Sequence, residues 1–262
     1  MKVFLRTFLL AALPALVAAP IAAQGSQASS GNLQAEARQI YALANEARIQ
    51  AGLGRLDWDP ALAAAALAHC KRMAEEGPIS HQYSGEADLT TRTAEAGAHF
   101  SVIEENVAVG PSPDAIHEAW MHSPGHRANL LSPEVDRVGV AVVAARGVLY
   151  AVADYSRGVE QLSATEVEAR VAGLISVSGV AILRDPNVAR AACATDEGMP
   201  RAESGPMPRF VMRWQTGDLT ELPQALRDKL ASGNYRQAAV GSCPAQGLEG
   251  SFTAYRVAVI LY

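Results

Sequence analysis

Cysteine, charge and basic residues are in short supply in this chain, and each shortage removes a class of protein. Three cysteines among 262 residues, Cys70, Cys193 and Cys243, allow one disulfide with a thiol left over, so the chain is no disulfide-dense miniature scaffold. Charged residues are 19% of the chain against 49% hydrophobic, a balance that gives a packed core rather than a disordered chain. There are 22 Lys plus Arg against 27 Asp plus Glu, a net charge of −5, and that argues against a sequence-independent nucleic-acid binder, which must neutralise phosphates. After the N-terminal apolar run no second one approaches the ~20 residues of a membrane span, so the chain is expected not to span a membrane. No histidine follows His126. No Ser or Cys nucleophile motif favours covalent catalysis.

What is present begins with Lys2 and Arg6, the apolar stretch Phe8 to Ala19 and small residues up to Ala23. This is the pattern of a secretory signal peptide over residues 1–23, and it places the protein outside the cytoplasm, periplasmic or extracellular. Residues 24–33 read as a Gly/Ser/Gln tether. A helical period then runs from Leu33 through Ile40 and Ala44 to a stop at Gly52 and Gly54, and Asp59-Pro60 opens a second helix that ends at Gly77-Pro78. Residues 79–107 lack a clean period, the mark of a functional or specifically ordered loop. Pro113-Asp114 starts a short helix broken at Pro124-Gly125, and Val138–Val143 with Val148–Ala153 read as an antiparallel hairpin. The first domain thus spans residues 34–156.

Residues 157–173 read as a linker or helix, and 174–262 as a smaller α+β unit with a strand over Leu174–Leu183 and a helix over Leu222–Ala231. Cys193 and Cys243 both stand in turn-like surroundings in this part and are expected to pair, leaving Cys70 as a small buried hydrophobe on the second helix. Ala239-Val240-Gly241 followed by Tyr255–Leu261 loosely echoes Val138-Gly139-Val140 followed by Tyr150-Ala151-Val152. A duplicated half and a chance likeness of two hairpins both account for the echo.

All six histidines, His69, His81, His99, His117, His122 and His126, fall in the first domain. His81 follows a helix exit, and His126 follows the turn Ser123-Pro124-Gly125, which aims its ring off the helix axis. Glu105 lies in Glu104-Glu105-Asn106-Val107. His81, His126 and Glu105 are therefore the candidate catalytic and metal-binding residues. Two imidazoles and a carboxylate suit a divalent cation such as Zn2+ with a position open for water, and the same three groups suit metal-free general acid–base work. Arg127 and Asn129 are expected to hold the loop, Trp120 to sit in the core, and Glu104 either to be exposed or to raise a carboxyl pKa beside Glu105.

An ordered series carries a family resemblance: Ala44-Asn45-Glu46-Ala47-Arg48, Leu56-Asp57-Trp58-Asp59-Pro60, Ser80-His81, Glu105-Asn106-Val107, Trp120-Met121-His122-Ser123-Pro124-Gly125-His126-Arg127-Ala128-Asn129-Leu130-Leu131 and Val138-Gly139-Val140. It resembles the bacterial secreted branch of the CAP superfamily (cysteine-rich secretory, antigen 5 and pathogenesis-related 1 proteins; SCP domains) over about residues 34–156. The resemblance implies an α-β-α sandwich and, in eukaryotic members, a cleft with two His and two acids. By position His81 is the first histidine and Glu105 the first acid. Ser123 replaces the second acid, and His126 belongs to the bacterial motif rather than to a positional match. The implied functions are a cleft that binds a ligand, such as a lipid or a cell-envelope component, by way of a divalent metal or without one; a metal-assisted hydrolase or peptidase using Glu105 with His81 and His126; and an adhesion or protein-interaction module. Whether the protein is an enzyme stays open at this point.

Overall fold

The structure, a computed structural model, describes residues 22–200, 206–247 and 252–262. The expected signal peptide lies outside the described residues apart from its last two positions. The first unit is a three-layer α-β-α arrangement whose sheet has the order β1-β3-β4-β2. Helix α1 (Ala22–Gln50) takes in residues 24–33, so the stretch expected as a tether is helical; no proline interrupts residues 22–50. Its motif residues are structural. Asn45 bonds both polar groups of the Leu56 main chain (3.1 and 2.7 Å), and buried Arg48 donates to the carbonyls of Gly54, Leu130, Ser132 and Val135.

Strand β1 (Asp57–Trp58) pairs in parallel with the start of β3 (Arg137–Ala145), and β3 pairs antiparallel with β4 (Val148–Gly158) as the expected hairpin. Between them helix α2 (Pro60–Glu76) starts where Asp59 accepts from the amides of Ala61 and Leu62 (2.8 and 3.1 Å), with Pro60 in the first turn. It ends at Gly77, whose φ of 104° is open to glycine but not to other residues. The stretch 79–107, expected to be irregular, contains α3 (Leu89–Glu95) and most of the edge strand β2 (Phe100–Gly110), which pairs antiparallel with β4. The consecutive polar residues Glu104, Glu105 and Asn106 hide the strand alternation, because Glu105 and Asn106 are both buried by specific hydrogen-bond partners. Helices α4 (Pro113–His122) and α5 (Pro124–Leu130) follow; the chain breaks at Ser123 and resumes as helix, with Pro124 in the first turn.

One sheet face packs on α1, α4 and α5 through Ile40, Ile116, Trp120, Val138 and Tyr155. The other packs on α2 through Ala66, Cys70, Met73, Ala141 and Val152. At a sheet–helix contact this close, Gly139 leaves no room for a side chain: a Cβ there would lie 2.0 Å from the Ala63 nitrogen of α2.

The second unit begins without slack after β4. Helix α6 (Ala164–Ser176) opens with a reciprocal cap between Ser163 and Glu166 and occupies much of the stretch expected as linker and strand. Only Ala181–Ile182 of Leu174–Leu183 is extended, as β5, because Val167, Val171 and Ile175 recur at helical spacing. Helix α7 (Asn187–Cys193), β6 (Phe210–Thr216), α8 (Gln224–Ala231), β7 (Gln237–Cys243) and β8 (Tyr255–Leu261) complete a second four-stranded sheet of order β5-β7-β8-β6. The molecule is thus α+β in both parts. Cys193 and Cys243 form the expected disulfide, with Cα atoms 5.8 Å apart, and Cys70 is free and buried. Burial pushes the Cys70 thiol up to about 12, so it is an inert side chain rather than a nucleophile. Among the described residues no helix is long and apolar enough to cross a membrane.

Candidate functional site

The candidate site lies at the free edge of β2, where elements from both helical layers reach round the sheet. Glu105 projects from β2 on the α2 side and is buried. Its Oε1 lies 2.8 Å from His81 Nδ1, and its Oε2 accepts from Arg92 Nη2. A carboxylate only accepts, so His81 carries hydrogen on Nδ1 and turns Nε2 outward. The His81 side chain is 61% exposed, so that nitrogen meets solvent. Arg92 comes from α3, which Asp88 caps by accepting from the Thr91 amide (2.8 Å), and it also donates to the His81 carbonyl (3.2 Å). One guanidinium therefore fixes both the carboxylate and the loop that carries the imidazole.

Beneath this pair sits His69 of α2, fully buried, with Nδ1 2.7 Å from Glu86 Oε1 and Nε2 2.9 Å from the Ser80 carbonyl. Both partners are acceptors, so the ring is held from two sides. Its Nε2 is also 3.8 Å from Glu105 Oε2. Burial works against the Glu86 charge, but the bonds from His69 and the Tyr83 amide hold that carboxyl below its usual range. Asp154 stands directly opposite Glu105 across β2 and β4, completely buried, with neither carboxyl oxygen hydrogen-bonded among the described residues. Burial, then the Glu105 charge, raises it well above the ordinary aspartate range.

His126 enters from α5, across the sheet edge. Asn106 donates to the His126 carbonyl (2.9 Å), and Asn129 donates to the Glu105 carbonyl and to Asn106 Oδ1 (both 3.0 Å), so two asparagines clamp α5 to β2. Burial, and then the charge of His81, lowers the His126 pKa. The Glu105 hydrogen bond, opposed by partial burial, raises that of His81. The three expected residues are thus gathered at one edge. His69, Glu86, Arg92 and Asp154 are the members that the sequence reading missed. Asp154 had a signal, an acid closing the apolar run of β4, whereas Arg92 and Glu86 had none.

The remaining expectations sort simply. Trp120 is core, donating Nε1–H to the Val107 carbonyl (3.2 Å), and Asn129 holds the loop as expected. Glu104 faces away from Glu105, on the opposite side of the sheet, and its own carboxyl is raised by burial. His122 ends α4 with Nδ1 2.8 Å from the Glu118 carbonyl, apart from the cluster.

As a cation site this arrangement fits poorly. Both Glu105 oxygens are committed, the Arg92 guanidinium already lies against the carboxylate, and both His69 nitrogens are occupied. Among the described residues no three His, Cys, Asp or Glu side chains are disposed to hold a metal ion. The outward His81 Nε2 and the His126 ring are what this edge offers to a ligand.

A family model described as the cysteine-rich secretory protein family, CAP, matches residues 41–155. Two curated proteins of Bacillus subtilis (strain 168) are similar: the uncharacterized membrane protein YlbC, 35% identical over 107 residues (40% of this chain, 31% of that one), and the uncharacterized protein YkwD, 29% identical over 113 residues (43% and 44%). The chain spans less than half the length of these relatives. Among solved structures, an extracellular SCP-domain protein from Bacillus anthracis str. Ames is 28% identical with a TM-score of 0.45, covering 47% of this chain and 41% of that one. An outer surface protein from Borrelia burgdorferi is 21% identical with a TM-score of 0.43, covering 45% and 89%.

Proposed function

Since residues 41–155 are a CAP domain, we propose that the protein is exported and that the cleft at the β2 edge binds a polar ligand from the cell envelope through His81 and His126. The observation that carries this reading is the buried Glu105–Arg92 pair, which fixes His81 with its Nε2 facing solvent. An imidazole anchored to a buried carboxylate that is itself held by a guanidinium is pre-organised, so little ordering entropy is lost when the ligand docks. No step here runs through a metal, because the Glu105 oxygens and the His69 nitrogens already have protein partners.

The test is binding of soluble envelope fragments to the mature protein in the presence of a chelator. Saturable binding that His81→Ala and His126→Ala each weaken at least tenfold is expected. No binding by any fragment, or binding indifferent to both variants, overturns the proposal. Zinc calorimetry runs alongside: near-stoichiometric zinc binding lost in the His81→Ala/His126→Ala variant would restore the metal reading.

A second reading is metal-free hydrolysis, supported by the opposite pKa directions of the two imidazoles. Neutral His126 would take a proton from an attacking water while protonated His81 gives one to the leaving group, contributing about 10²–10⁴-fold for such a pair. His126→Gln would then abolish turnover without changing the melting temperature. A lipid ligand would sit elsewhere. An apolar groove of about 460 Å3, lined by Leu33, Ala37, Trp58, Leu67, Val140 and Val142, lies at the opposite edge of the sheet. Fatty-acid uptake blocked by Leu67→Arg and untouched by His81→Ala would locate it there.

A further inference from the structure

We infer that residues 159–262 are a second copy of the first unit's fold, one that has gained a disulfide and lost the carboxylate–imidazole set. Setting aside the short helices α3 and α5, the first unit runs helix, strand, helix, strand, helix, strand, strand, and so does the second: α6, β5, α7, β6, α8, β7, β8. The two sheets have the same arrangement. The first strand pairs in parallel with the third, the third with the fourth and the second with the fourth in antiparallel, giving first-third-fourth-second in each. Connection rules limit the possible topologies but do not impose this one.

The likeness extends to single bonds. In the first unit the Asp57 amide donates to the Asp136 carbonyl and the Asp59 amide to that of Val138 (2.8 and 2.9 Å). In the second, the Ala181 amide donates to the Arg236 carbonyl and the Leu183 amide to that of Ala238 (3.0 and 2.8 Å). The layers match too. Helices α6 and α8 share one face, with Val171, Ile175, Leu226 and Val240, as α1 and α4 do, while α7 takes the other with Ala189, Ala239 and Ile260, as α2 does. Each second helix lies against a glycine of the third strand. A Cβ on Gly241 would be 2.2 Å from the Arg190 nitrogen, as one on Gly139 would be 2.0 Å from that of Ala63.

The chemistry is not copied. Registered on the two glycines, Glu105 and Asp154 correspond to Arg213 and Ala258; registered on the short parallel strands, they correspond to Val211 and Ile260. Neither register gives a carboxyl pair, and no histidine occurs after His126. A cleft of about 630 Å3 nevertheless occupies the counterpart position, between α7, the segment after it and β6, lined by Asn187, Val188, Ala191, Met199 and Arg213. The second unit has a cleft there without the acid–base groups of the first.

The glycine register makes a residue-level forecast. Cys193 is three residues beyond Arg190 and Cys243 two beyond Gly241; the same steps from Ala63 and Gly139 reach Ala66 and Ala141, buried in one apolar cluster. The full chain carrying Ala66→Cys/Ala141→Cys in a Cys70→Ala background is therefore expected to form a second disulfide. The denatured, unreduced protein should show no reactive thiol, and two thiols would overturn the inference. If that variant does not fold, the wild-type protein decides, since a strong nuclear Overhauser contact between the Ala66 and Ala141 methyls is expected and its absence refutes the correspondence.

Discussion

Two imidazoles in one cleft are driven in opposite directions by their neighbours, and that is a matter of single residues. His81 is held above 6.5 by its bond to Glu105, so the stability that this bond gives is fully present below the unfolded value and is lost as pH rises through the folded one. Proton NMR titration should find His81 above 6.5 and His126 below it, and Glu105→Gln should bring His81 down. Arg92→Ala leaves Glu105 buried without its guanidinium and is expected to cost about 3–5 kcal/mol by urea denaturation. Asp154 has the opposite character to a paired carboxylate. Its raised pKa means that the unfolded state loses a proton which the folded state keeps, so the stability of wild type relative to Asp154→Asn falls as pH rises from about 4. Denaturation of both at pH 4 and pH 7 checks the sign. At this scale the sequence was partly readable. Glu105, His81 and His126 were recognisable because each stands beside a turn or motif, whereas Arg92 and Glu86 reach the cluster from a segment without period.

Elements were legible where a local cap or a period dictated them. Asp59-Pro60 and Gly77 bracket α2 because side-chain capping and a positive φ are local requirements. Strand β2 was hidden because tertiary partners, not alternation, bury its polar residues, and β5 was overcalled because the apolar residues before it belong to helix α6. Helix α6 itself depends on its reciprocal cap, and Ser163→Ala is expected to cost about 1 kcal/mol in thermal denaturation. Gly139→Ala tests the sheet–helix contact. A methyl cannot fit 2.0 Å from the α2 backbone, so α2 must shift, at a cost of about 3 kcal/mol or more.

At the scale of the whole molecule, the disulfide closes a loop with a sequence separation of 50, and its reduction should destabilise the second unit by about 4 kcal/mol on a chain-entropy estimate. A thiol count on the denatured, unreduced protein should find one, from Cys70. The two-unit division was visible in the sequence, since every histidine lies on one side of it, but the shared topology was not, because strand order is a long-range property. The junction has its own consequence. Val159 follows Gly158 of β4 immediately, its amide donates to the His99 carbonyl and the Thr253 amide to that of Phe100, while Phe252 packs edge-on against Phe100. Such a joint has no hinge. In solution the halves should share one rotational correlation time, and backbone relaxation should report a single tumbling particle, with Glu105 five residues along the strand from the point where they are fastened together.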